Sequence, residues 1–175
     1  MRLTAKAIAF TAFLLASVSL FAQENETSIK YSNITEVGIT TASPQSFGFE
    51  ATTAHGVSIE KAHNLGMGFG IGFNVSDKAG FNLYMPVFFN YRLYFKPQNK
   101  FTPHFNVALG MLVPADGMGY YSAVTMGFRS GKFSFSSGLS FLPVYRKGEV
   151  FWDGRRSEDK WYFPFGITIK AGFAF

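Results

Sequence analysis

The chain has 175 residues and a formal net charge of +5; 47% of it is hydrophobic and 15% charged, with 22 Phe, 18 Gly and no Cys. Average soluble domains carry about 25% charged residues, so this composition excludes a disordered chain and leaves an ordinary water-soluble globule too little charge to cover itself. The absence of Cys excludes a disulfide-stapled secreted mini-protein, and the length fits one domain.

Positions 1–22 carry Arg2 and Lys6, then an apolar run from Ala7 to Leu20, then small Ala22 before Gln23. This is the pattern of a secretory signal peptide. The run is shorter than the roughly 20 apolar residues a membrane-spanning helix needs, so 23–175 is taken as the working domain. Losing Arg2 and Lys6 lowers the formal charge by two. With no basic cluster on a helix and no nucleic-acid-binding module, nucleic acid is not an expected partner.

Beyond Gln23 the pattern is alternation with period two, the mark of half-buried strands. Val37 and Ile39 mark a first strand, Phe47, Phe49 and Ala51 a second, and Met67, Phe69, Ile71 and Phe73 a third. The fourth is long, from Phe81 through Leu83, Met85, Val87, Phe89, Tyr91 and Leu93 to Phe95. Phe101, Phe105, Val107, Leu109 and Met111 give a fifth, Tyr120, Val124, Met126 and Phe128 a sixth, and Phe133, Phe135, Leu139 and Phe141 a seventh. The eighth, from Trp161 to Phe175, keeps one face apolar for its whole length. Turn signals separate the runs at Ser43–Gln45, Ser58–Asn64, Ser76–Gly80, Lys96–Lys100, Pro114–Gly117, Arg129–Lys132 and Lys147–Lys160. An even strand count returns both chain ends to one side. If that side is the periplasm, Gly148–Lys160 is an outer loop and Arg129–Lys132 a tight inner turn; Ser58–Asn64 is long for an inner turn.

The second face separates a membrane barrel from a soluble sandwich. Opposite the Phe stripes stand Gly66, Gly68, Gly70 and Gly72, or Ser134, Ser136, Gly138 and Ser140, where a soluble sheet would carry Lys, Glu and Arg. Small polar residues fit the crowded interior of a narrow closed barrel, and several runs reach the 9–11 residues of a tilted membrane strand. The expected fold is all-β, an eight-stranded antiparallel up-and-down transmembrane β-barrel over 23–175.

The signal peptide ending Ser19-Leu20-Phe21-Ala22-Gln23, the eight amphipathic strands and the aromatic C-terminal residue resemble the small outer-membrane β-barrel proteins of Gram-negative bacteria, of the OmpA/OmpX type. The resemblance covers 31–175. It implies an outer-membrane location, outer-membrane lipid as the surroundings, and an insertion signal read by the barrel-assembly machinery at Ile169, Ala171, Phe173 and Phe175. The prolines depart from the pattern: each removes a ladder donor. Pro103, Pro143 and Pro164 suit strand ends, whereas Pro86 calls for a bulge.

Chemistry is sparse. Gly66 to Gly72 alternates glycines like a dinucleotide loop, but no helix follows, so it reads as a strand. His55, His63 and His104 stand without Cys or paired carboxylates; none reaches the outer rim where a lipid-acylating or lipid-deacylating barrel places its catalytic His and Ser. No catalytic, cofactor or metal residue is assigned. Five ionisable groups have lumen parity: Glu36, Glu50, Arg92, Arg129 and Lys170, with Glu50 highest. Buried charges must pair, so they are expected to form a salt-bridged plug; the alternative is a narrow pore. The expected function is non-enzymatic, structural or surface-interactive through the outer loops, whose partner the residues do not name.

Overall fold

The computed structural model describes residues 28–43, 46–76, 80–114, 117–146 and 160–175. The signal peptide expected over 1–22 and most of the Gly148–Lys160 connection lie outside the described residues. Among the described residues ten strands form one antiparallel sheet: β1 (Ile29–Ser43), β2 (Ser46–Ile59), β3 (His63–Ser76), β4 (Gly80–Tyr94), β5 (Phe101–Pro114), β6 (Gly117–Ser130), β7 (Phe133–Phe141), β8 (Val144–Arg146), β9 (Lys160–Tyr162) and β10 (Phe165–Ala174). Each long strand pairs with its sequence neighbours; β10 pairs with both β7 and β1, and β5 pairs with β6, so eight strands close into a barrel. β8 pairs with the start of β6 and β9 pairs with β8, a short extension above β7 and β10.

The register fixes the barrel's shape. From Tyr31 the pairing leads through Val57, Leu65, Tyr91, Val107, Val124, Leu139 and Ile167 back to β1 at Thr41, ten residues above the start. With the usual strand spacing and rise, that stagger tilts eight strands by about 40° around a radius of about 8 Å. Ten residues along such strands rise about 25 Å. We call the end with Ile29 and Ala174 the lower end.

The prolines act more gently than expected. Opposite Pro86 the β3–β4 ladder lapses, but the pairs on either side, Gly72 with Tyr84 and Phe69 with Val87, keep one register, and Pro86 itself pairs with Leu112 of β5. There is no bulge: the missing N–H faces β3, which forfeits local pairing while the β5 side holds. Pro143 and Pro164 instead break two adjacent strands at one level, where the Leu142 N–H donates to the Pro164 carbonyl (3.0 Å) and the Tyr120 N–H to the Pro143 carbonyl (2.8 Å). The expected eighth strand is therefore divided into β9 and β10.

The second connection is shorter than the sequence suggests. Pairing continues to Ile59 with His63, and the Ala62 N–H closes the turn on the Ile59 carbonyl at 3.1 Å. Glu60 and Lys61 carry φ of 54° and 61°, a left-handed conformation that suits Asn-Gly far better. Each such non-glycine residue costs roughly 1–2 kcal/mol. Changing Glu60→Asn together with Lys61→Gly should therefore raise the urea midpoint of the refolded protein, by the equivalent of about 1–2 kcal/mol; a lowered midpoint would show that the side chains contribute more than the backbone relief.

The barrel is inverted relative to a soluble protein. Among the described residues thirty-five large apolar side chains are exposed, on the outer wall and its rims, Phe69, Leu109, Met126 and Phe173 among them. Inside, among the described residues, seventeen buried polar or charged residues outnumber eleven buried hydrophobic ones. The lumen still has an apolar layer of Tyr84, Phe88, Leu112, Tyr121 and Leu142 with Ala54, Ala108 and Ala123. Glycines make room for it. A Cβ at Gly68 would stand 2.4 Å from the Phe88 ring, and one at Gly72 2.5 Å from the Tyr84 ring.

Candidate functional site: the charged lumen

All five expected lumen charges lie on the inner face of the wall, and four of them form two ion pairs. Arg92 of β4 reaches across the barrel to Glu36 of β1 (Nη2 to Oε1, 2.8 Å), with both side chains buried. Two further donors are used: Nη1 to the Ser134 hydroxyl at 3.0 Å and Nε to Asn106 Oδ1 at 3.2 Å, while Asn90 also donates to Asn106 Oδ1 at 2.8 Å. Ser134 in turn donates to Glu36 at 3.3 Å. Multiple hydrogen bonds around a charge pair are what makes its burial tolerable.

The second pair joins Lys170 of β10 to Glu50 of β2. Gly38 lies between them in register with both, and the two side chains meet over it. Tyr121 completes the group, donating to Glu50 Oε1 at 2.9 Å and accepting from Lys170 Nζ at 2.9 Å. A Cβ at Gly38 would approach Lys170 Cγ to 2.8 Å and the Ile169 carbonyl oxygen to 2.9 Å. Gly38→Val is thus expected to push Lys170 off Glu50 and lower stability by about 2–4 kcal/mol, through overpacking and a weakened buried pair. Chemical denaturation of the refolded variant measures this; an unchanged midpoint would place the lysine elsewhere.

Arg129 stays out of both pairs. It lies at the lower end, partly exposed, with its guanidinium carbon 4.2 Å from the centre of the Tyr94 ring, and Tyr94 packs edge-on against buried His104 (5.6 Å). Glu50 stands above the other four, as its place on β2 implies, yet it is the long Lys170 side chain that reaches it. Tyr121 was not among the expected site residues. Its signal was parity: beside outward-facing Tyr120, it must point inward.

Between the two pairs lies a cavity of about 10 Å³, lined among others by Glu36, Arg92, Lys170, Thr52 and Phe88. That is room for about one water. Above it the Phe88 and Tyr121 rings pack 5.0 Å apart. The other two histidines face outward near the lower end, each beside a tyrosine: Tyr31 for His55, and Tyr91 for His63 at 2.9 Å. Among the described residues no group of three His, Asp or Glu side chains could hold a metal.

Fold and lumen together define the class: a closed eight-stranded antiparallel β-barrel with a packed, ion-paired interior and an apolar outer wall. The chain matches no family model, and a search of curated proteins finds no match.

Proposed function

We propose that the chain is a small outer-membrane β-barrel protein, similar to the OmpA/OmpX type, with a structural or surface-interaction role carried by its upper loops. The observation behind this reading is the inversion of the wall. At about 1 kcal/mol for each half-exposed apolar side chain, thirty-five of them in water would cost tens of kcal/mol, whereas lipid removes that cost. The rise of about 25 Å between the levels of Tyr31 and Thr41 matches the apolar band of outer-membrane barrels. The signal peptide read over 1–22 supplies the export that such a location requires. On this reading Ile169, Ala171, Phe173 and Phe175, which face outward on the closing strand, serve as the signal for the assembly machinery.

The packed lumen supports a non-conducting barrel over the pore. A non-enzymatic role is favoured because His55 and His63 lie near the lower end and His104 is buried in the lumen. The test is fractionation and gel mobility. The protein should appear with the outer membrane and migrate faster unboiled than boiled, because a closed barrel has no unpaired edge for detergent to open. Recovery as a detergent-free periplasmic monomer would overturn the proposal, and steady unitary currents in planar bilayers would replace it with the pore.

A further inference from the structure

Among the described residues the outer wall carries one connected cluster of five polar side chains. Near the lower ends of β1 and β2 the outward side chains are Tyr31, Asn33, Thr35, Thr53 and His55, at a level where β3 presents Leu65, Met67 and Phe69. These five bond to one another. Asn33 donates to Thr53 (3.1 Å) and meets His55 (3.1 Å), Thr35 donates to Asn33 Oδ1 (3.2 Å), and the Tyr31 hydroxyl meets His55 Nδ1. The His55 ring stacks on Phe69 at 6.2 Å. The result is a polar notch in a greasy wall, bordered by Phe69 on one side and by Phe173 and Phe175 on the other.

Directly below it runs a cationic collar. Lys61 sits in the β2–β3 turn, Lys96 and Lys100 in the β4–β5 connection and Lys132 at the β6–β7 turn, while Lys30 and Arg129 stand at the same end with lumen parity. The only acidic side chain at this rim among the described residues is Glu60. Lys132 Nζ lies 4.7 Å from the centre of the Phe175 ring, so cations and lipid-facing aromatics meet at one height.

We propose that the β1–β2 notch and the adjoining collar bind an anionic phospholipid of the leaflet at the lower end. The phosphate lies against Lys61 and against Lys132, which sits over the Phe175 ring at the border of the notch, and the glycerol ester oxygens accept from Asn33, Thr53 and His55. At about 2.5 Å per residue Tyr31 to Thr35 lie about 5–15 Å above Ile29, so the lower part of the notch falls at the headgroup–acyl boundary, where the ester oxygens sit. Cations at every lower turn favour an anionic headgroup over a zwitterionic one. A second copy docked through the notch would bring two cationic collars together, which like-charge repulsion opposes.

This inference rests on the membrane reading, and the experiment separates the two. The chain is refolded into vesicles of phosphatidylcholine mixed with phosphatidylglycerol and extracted in mild detergent. Native mass spectrometry then counts the lipids retained on the folded barrel, with the gel-mobility shift as the check of folding. The parent protein should retain phosphatidylglycerol in preference to phosphatidylcholine. Asn33→Leu with His55→Leu should abolish retention, and Lys61→Asn with Lys132→Ser should lower the preference roughly tenfold. If the leucine variant fails to fold, the lysine variant decides alone. Equal retention of both lipids by the parent, or an unchanged preference in folded variants, overturns the lipid site and leaves the barrel reading intact. A species of twice the mass that the notch substitutions abolish overturns it in favour of a second copy. Failure of the parent to fold into the vesicles strikes the membrane reading instead.

Discussion

Replacing Arg92 by Met is expected to destabilise the refolded barrel by about 3–5 kcal/mol, because Glu36 is left buried and without its cation. Arg92 is fully buried and donates to Glu36, Ser134 and Asn106 at once. Its removal therefore leaves one carboxylate without its cation and takes one hydrogen bond each from Ser134 and Asn106. Changing both partners, Arg92→Met with Glu36→Leu, should recover much of the loss, since an apolar pair of similar volume avoids the cost of burying charge. Lys100, exposed at the lower end, provides the comparison: Lys100→Ser should change stability by less than about 0.5 kcal/mol. Tryptophan fluorescence during urea unfolding follows all four proteins. Equal losses at Arg92 and Lys100 would mean that the inner and outer faces of the wall have been exchanged.

Phe89→Arg tests the other face. Phe89 is 46% exposed on the outer wall of β4, paired with Met67 near mid-height. At an exposed position in water an arginine is nearly neutral, within about ±0.5 kcal/mol, and it would improve solubility. At the midplane of a bilayer it costs about 2–4 kcal/mol. Folding into vesicles should therefore fall by that amount, while an arginine at Phe95, exposed at the lower rim, should cost no more than about 1 kcal/mol. A depth-independent effect would argue against a lipid-facing wall.

Much of the barrel is legible in the residues because the Cβ atoms of a strand alternate between its faces. Any run such as Phe81 to Phe95 assigns each residue to wall or lumen without knowledge of its neighbours. The same parity found Glu36, Glu50, Arg92, Arg129 and Lys170, and it pointed equally to Tyr121. β1 was faint for a physical reason: the outward residues of its lower half, Asn33 and Thr35, belong to the polar notch, so hydrophobic alternation is lost there while the strand itself runs from Ile29.

What the sequence by itself determined is the period, and with it the eight strands of the barrel wall and the assignment of faces; the short β8–β9 extension was not legible. Pairing partners were beyond it, because they depend on register between strands far apart in the chain. Lys170 meets Glu50 only because β1 places Gly38 between them, which joins residues at opposite ends of the sequence into one row. Pro86 is another case. Whether a missing N–H bends a strand depends on which neighbour that N–H faces, and only the closed barrel shows that it faces β3 while the pairing with β5 continues. The cationic collar was likewise dispersed along the chain as isolated lysines in separate turns. It became one feature when eight strands, staggered by ten residues around the ring, brought those turns to a common rim.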